Sequence, residues 1–149
     1  DDFNVQVDVE SSYRVLRASS PTFVTLASTV QTALRASHLD RLREGDALAR
    51  LIARQAKEFA VDERMDTRFG ATCAWVPDDI INFQHDALAC AVALGWREGI
   101  DFEEVFFTPE IDDGVLIERI ETDGRPARVV TKVDGARFSE FWLETITRP

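Results

Sequence analysis

An adjacent histidine and aspartate, His85 and Asp86, are the residues whose types most readily support chemistry in this sequence. Imidazole and carboxylate groups can ligate a divalent metal ion. A metal site needs further histidine or aspartate ligands, and the only other histidine is His38. We therefore expect no metal here, and we expect Asp86 to be a favourable charge in the first turn of a helix.

The two cysteines, Cys73 and Cys90, could each act as a nucleophile beside a histidine. Both stand in apolar stretches, Ala-Thr-Cys-Ala-Trp and Leu-Ala-Cys-Ala-Val. Free cysteine behaves as a small hydrophobic residue and is usually buried. We expect both side chains to pack in the core, with a disulfide between them as the alternative if the protein is secreted.

A pair of carboxylates, Asp78 and Asp79, follows Pro77. Metal-dependent nucleases combine a Pro-Asp pair with a later acid-x-Lys sequence, but here Val130 occupies the acid position before Lys132, the only downstream lysine. Turn and helix-capping roles explain the segment better. Neither a glycine-rich phosphate loop nor a nucleophile-elbow serine occurs, so the sequence predicts no catalytic residue and no cofactor.

The strongest feature of the sequence is a concentration of carboxylates between residues 101 and 123. This acidic segment holds nine acids and one base, Arg119, in a chain whose net charge is −10. Aromatic and aliphatic residues are interspersed with the acids. Clustered charge of one sign costs stability through self-repulsion, and it can contribute steering and specificity in return.

Three interpretations of the acidic segment are open: a solvated loop and hairpin, a carboxylate site for Mg²⁺ or Ca²⁺, and a surface that docks a basic partner. The spacing lacks the regular oxygen ligands of a calcium loop, and this disfavours the metal site. The docking interpretation is preferred, with Phe106 and Phe107 as anchors only if at least one is exposed. The predicted partner-binding residues are Asp101, Glu103, Glu104, Phe106, Phe107, Glu110, Asp112 and Asp113.

The charge balance constrains the class of partner. Proteins that bind nucleic acids usually present basic patches, whereas the 17 basic residues here are scattered. We therefore expect no binding to nucleic acid or to an anionic membrane, and we expect a basic, toxin-like protein partner. The function predicted is that of a non-enzymatic bacterial immunity protein or antitoxin that neutralises a nuclease-type toxin.

Two alternatives come from other functional classes. One is a small α+β enzyme, a metal-dependent hydrolase using clustered carboxylates, with Asp78, Asp79, His85 and Asp86 as its cluster. The other is a subunit or chaperone that binds a basic complex through the acidic segment.

The apolar patterning predicts a single α+β domain over residues 1–149, with three central helices on a mainly antiparallel sheet and a C-terminal β-hairpin. Helices are expected at 21–36, 39–60 and 82–98, and Asp46 can cap a second piece of the middle helix after Gly45. Strands are expected at 3–9, 13–16, 71–76, 115–121 and 127–134, the last two joined at Asp123-Gly124. Residues 138–146 fit either a helix or a strand.

No apolar run is long enough to span a membrane, and a cytoplasmic location is expected. The chain opens without an initiator methionine, so a signal peptide that has been removed is the alternative. The sequence predicts no oligomeric state.

Overall fold

The computed structural model describes residues 3–148, without the side chain of Phe3. The α-helices are α1 (Phe3–Val7), α2 (Val9–Ala18), α3 (Leu26–Thr29), α4 (Leu39–Glu44), α5 (Ala47–Asp62), α6 (His85–Ala93) and α7 (Gly135–Ile146). The strands are β1 (Thr22–Phe23), β2 (Ala33–Arg35), β3 (Ile80–Phe83), β4 (Ile100–Asp112), β5 (Val115–Ile120) and β6 (Arg125–Val133). A short 3₁₀ turn at Ala36–His38 and a π turn at Asp66–Gly70 complete the elements.

The fold is α+β, as the patterning predicted. One sheet has four strands in the order β1-β6-β4-β5, and a second sheet pairs β2 with β3. The β4–β5 and β2–β3 pairs are antiparallel, whereas β1 and β6 run parallel. Among the described residues, no helix has the length and apolar character needed to cross a bilayer.

The chain divides into two compact units. The first comprises residues 1–26 and 101–131, and the second comprises residues 27–100 and 132–149. Each unit has its own buried apolar cluster: Leu16, Phe107, Leu116 and Ala127 in the first, and a larger cluster around Leu42, Ala53 and Leu143 in the second. The single domain expected from the sequence stays a prediction.

The strands predicted at 3–9 and 13–16 are wrong, because α1 and α2 occupy these residues. Val9, Tyr13 and Leu16 of α2 pack in the first unit's core, and their spacing of four and then three residues is that of one helix face. Asp8 caps α2 by accepting a hydrogen bond from the Ser11 amide at 3.0 Å. The alternation of residues 3–9 was misleading because Val7, one of its apolar positions, is exposed.

The helix predicted at 21–36 and the strand predicted at 71–76 are also wrong. Residues 22–35 form β1, the single turn of α3, and β2. Residues 71–76 are turns, and the adjacent strand is β3 instead, which begins with the buried Ile80 and Ile81.

The predicted helix at 39–60 is confirmed, together with its division at Gly45. Asp46 caps α5 by accepting a hydrogen bond from the Ala49 amide at 2.9 Å. The third predicted helix is present as the shorter α6, which ends before Gly95 rather than at Gly99. Gly95 has a φ of 98°. Its amide donates to the Val92 carbonyl and the Trp96 amide donates to the Ala91 carbonyl, so these two carbonyls in the last turn of α6 are satisfied.

The hairpin in the C-terminal half lies earlier than predicted. Residues 115–120 and 125–133 are strands, but β5 pairs with β4, and β6 lies on the other side of β4. The hairpin turn is therefore Asp113-Gly114, where both residues have positive φ, as a tight two-residue turn requires. Residues 138–146 are helical, within α7, whose Asp134 cap accepts from the Arg137 amide at 3.0 Å.

Candidate functional site

The second unit carries an open cleft of about 510 Å³ where α5, the end of β3, the start of α6 and α7 meet. We call it the β3–α6 cleft. The residues that give it its chemistry are Gln55, Phe59, Phe83, His85, Asp86 and Trp142. Apolar walls with a few polar groups are typical of small-molecule sites, and clefts of about 300–1,000 Å³ are usual for them.

His85 is the most constrained polar residue of the cleft. It stands at the first position of α6, half-buried, and its Nδ1 lies 2.6 Å from the Thr29 hydroxyl, which is itself buried. Burial lowers the pKa of His85 below its ordinary value, and the opposing effect of the nearby Asp86 charge is smaller. The imidazole is therefore neutral at pH 7, and Nε2 has no hydrogen-bond partner among residues 3–148.

A stack of aromatic rings supports His85 from one side. The Phe83 ring centroid lies 5.5 Å from the imidazole centroid, and the Phe83 ring also stacks on Trp75 at 6.3 Å. Phe69 contacts Phe83 edge-on at 5.4 Å. These contacts restrict the rotation of Phe83 and so fix the surface on which the imidazole lies.

Asp86 places an exposed carboxylate in the first turn of α6, as predicted, where the helix dipole favours a negative charge. It lines the same cleft as His85, so a proton carrier and an anion are adjacent. Within the described part of the chain, no group of three or more histidine, cysteine, aspartate or glutamate side chains could hold a metal ion.

The carboxylate cluster of the alternative enzyme prediction is only half assembled. Asp79 pairs with Arg35 at 2.7 Å and accepts a hydrogen bond from the Ser37 amide, and these bonds lower the pKa of Asp79 despite the opposing effect of its burial. Asp78 is exposed in the turn before β3. Neither residue lines the cleft that holds His85 and Asp86.

The cysteines differ from the core pair that the sequence predicted. Cys73 is partly buried against the cluster of Met65, Val76 and Ile80, as expected. Cys90 is exposed on α6, so its predicted place in the core is wrong. Both are free thiols.

The acidic segment forms β4, β5 and the turn between them rather than a loop. Phe107 is 0% exposed in the first unit's core, so it offers no surface to a partner, whereas Phe106 is 48% exposed. Glu103 and Glu104 border a shallow groove beside Phe106. The remaining predicted binding residues are Asp101, Glu110, which pairs with Arg119, and Asp112 and Asp113 at the turn. That this segment docks a basic protein stays a prediction.

Sequence reasoning missed two residues that line the cleft, Gln84 and Trp142, and it missed Thr29, which holds His85 from outside the cleft. Each comes from a different segment, and none belongs to a motif. The only signal in the sequence is that Gln84 directly precedes His85, so a second polar side chain lies next to the candidate histidine. The contribution of α7 depended on recognising residues 138–146 as a helix, which the pattern left open.

No protein-family model and no curated protein sequence matches the chain. Among solved structures it is similar to a plant nucleoside hydrolase, the PpNRh1 enzyme, with a TM-score of 0.74 and 17% sequence identity. The match covers 98% of this chain and 47% of that one, so the chain spans about half the length of the enzyme it resembles.

This likeness corrects two predictions. This structural neighbour is an enzyme, and an immunity protein or antitoxin finds no support in the comparison. The prediction that the chain is non-enzymatic is overturned for the same reason. The carboxylates of the acidic segment stand on β4 and β5, and Val105 and Phe107 of β4 contribute to the first unit's core.

Proposed function

We propose that this chain contributes to a hydrolase that cleaves the N-glycosidic bond of nucleosides, with the β3–α6 cleft as its part of the active site. The observation that carries the proposal is a histidine whose Nδ1 is held by a buried hydroxyl, beside a carboxylate in a cleft of small-molecule size. The likeness in fold to a nucleoside hydrolase supplies the substrate class.

The chemistry of the bond fits the two polar groups. Breaking a glycosidic bond leaves positive charge on the sugar, and a nearby carboxylate such as Asp86 stabilises that charge. The reaction also moves a proton from the attacking water to the departing base. His85 can exchange that proton through Nε2, because Nδ1 is engaged with Thr29.

The walls of the cleft suit the other half of a nucleoside. Phe59 and Trp142 supply aromatic rings against which a flat heterocyclic base can stack, and Phe59 is 43% exposed. Gln55 adds an amide that can bond to a base or a sugar hydroxyl. Hydrophobic walls with a small number of placed polar groups provide orientation as well as binding.

The test incubates the full-length protein that carries this chain with adenosine, inosine, guanosine, uridine and cytidine, and it measures free base and ribose by chromatography. We expect release of base and ribose in equal amounts from at least one nucleoside, at a rate independent of added phosphate. Release that requires phosphate would identify phosphorolysis and contradict the proposal. No release from any of the five would also overturn it.

A further inference from the structure

Gln84, between β3 and α6, carries a buried amide that the proposed chemistry does not use. It lines the β3–α6 cleft, directly precedes His85, and is only 6% exposed. It occupies the N-cap position of α6, but its side chain makes no capping hydrogen bond. The side chain is therefore committed elsewhere.

Of the two polar atoms of the side-chain amide, only Oε1 has a hydrogen-bond partner among the described residues. The Ser139 hydroxyl donates to Gln84 Oε1 at 3.0 Å, and the Gln84 backbone amide donates to the Thr32 carbonyl at 3.1 Å. Gln84 Nε2 is buried and has no partner among residues 3–148. A buried amide donor without a partner costs free energy, so its retention calls for a role.

We infer that Gln84 Nε2 binds the ligand of the cleft, donating a hydrogen bond to an acceptor oxygen or ring nitrogen of the nucleoside. Ser139 fixes the amide plane, so the donor is held in place before binding, at the residue next to His85. A ligand lacking the acceptor is rejected strongly, because the buried donor then stays unpaired. Gln84 is thus a specificity-determining residue, and this inference rests on the proposed function.

The decisive variant is Gln84→Met, which keeps the volume and removes the donor. We expect it to weaken nucleoside binding about tenfold, the loss typical of one hydrogen bond. We expect its melting temperature to stay near that of the wild type, because the unpaired donor is gone and the Ser139 hydroxyl, which loses Oε1, can still donate to the Ala33 carbonyl at 3.3 Å. The matched control is Gln31→Met, since both ends of the Gln31 amide are bonded, to the Ala27 carbonyl and the Val133 amide. That variant should lose stability and keep wild-type affinity.

The probe is pseudouridine, a nucleoside whose carbon–carbon glycosidic bond resists hydrolysis, and its Kd is measured by calorimetry in the full-length protein. Wild-type affinity in Gln84→Met would overturn the inference, as would a loss of affinity matched by a loss of stability like that of Gln31→Met. A wild-type protein that binds pseudouridine tightly but cleaves no nucleoside would refute the proposed function while leaving the Gln84 comparison valid. A protein that does not bind it would refute the inference.

A second variant tests the direction of the hydrogen bond. Gln84→Glu replaces the donor by an acceptor of the same shape, so binding should fall at least as far as in Gln84→Met. Pseudouridine affinity equal to that of the wild type would show that the ligand donates, and it would overturn the assignment of Nε2.

Discussion

Thr29 Oγ1 lies 2.6 Å from His85 Nδ1, a hydrogen bond between residues 56 positions apart in the sequence. Thr29 is 4% exposed, so the bond is shielded from water and holds the imidazole in one orientation. Nε2, the other ring nitrogen, is therefore able to bond to a ligand in the cleft. The position of His85 consequently depends on a hydroxyl that contributes no surface to the cleft itself.

Replacing that hydroxyl should reduce turnover more than stability. Thr29→Val keeps the shape and removes the hydrogen bond, so we expect kcat to fall between about tenfold and hundredfold as the ring loses its orientation. The free energy of unfolding should fall by about 1 kcal/mol. Steady-state kinetics and urea denaturation check both values. Thr29→Ser restores the hydroxyl and should restore most of kcat; a Ser variant as slow as the Val variant would contradict the orienting role.

Protonation of the two histidines should destabilise the fold. Burial lowers the pKa of both His38 and His85, so the unfolded chain binds protons more readily than the folded one. The histidine contribution is therefore fully present above about pH 6.5, the ordinary histidine pKa, and is lost as pH falls through the folded values. Urea unfolding between about pH 7.5 and pH 5 should show the free energy of unfolding decreasing.

The double variant His38→Gln, His85→Gln provides the control for that measurement. It lacks both titrating groups, so most of the slope between about pH 6.5 and pH 5 should disappear. A slope unchanged in the double variant would assign the pH dependence to other groups.

The cap of α5 should contribute measurably to stability. Asp46→Ala removes the acceptor for the Ala49 amide and should lower the free energy of unfolding by about 1 kcal/mol. Asp46→Asn keeps an acceptor oxygen and should lose much less. Equal losses in the two variants would indicate that the charge of Asp46, rather than its hydrogen bond, stabilises the helix.

Gly135 is required by close backbone packing at the start of α7. A Cβ at this position would lie 2.0 Å from the Gln31 carbonyl oxygen. Gly135→Ala should therefore cost about 1–3 kcal/mol, as strained overpacking does, measured by denaturant unfolding. The control is Ala136→Ser at the next, exposed position, which should remain near wild-type stability. Wild-type stability in Gly135→Ala would contradict the close approach.

Local sequence patterns predicted the elements that are determined by nearby residues, such as helix caps and runs of strand-forming residues. The division of the middle helix at Gly45-Asp46 followed from capping alone. The strands predicted at 115–121 and 127–134 followed from composition, and the structure has them at 115–120 and 125–133. Strand pairing was not predictable in the same way. Two Asp-Gly turns flank β5, and only the contacts made by β4 determine that the hairpin uses Asp113-Gly114.

The cleft was predictable only in part because its residues meet through tertiary structure. His85 and Asp86 are adjacent in the sequence and were identified as a pair, although a metal site was the chemistry considered. Thr29 and Trp142 come from distant segments, and nothing in their local sequence relates them to His85. The functional prediction was based on the acidic segment and not on this pair. Charge counts do not reveal that Phe107, one of the predicted anchors, is buried in a core.

The most direct test of the account compares the two histidines in nucleoside hydrolysis. His85 lines the β3–α6 cleft, whereas His38 lies outside it, and both have a lowered pKa. His85→Gln and His38→Gln are measured in the full-length protein with the best nucleoside substrate. We expect His85→Gln to lower kcat about 10²–10⁴-fold, the usual contribution of a proton-transferring residue, and His38→Gln to stay within about twofold of wild type. A wild-type kcat in His85→Gln, or an equal loss in both variants, would contradict it.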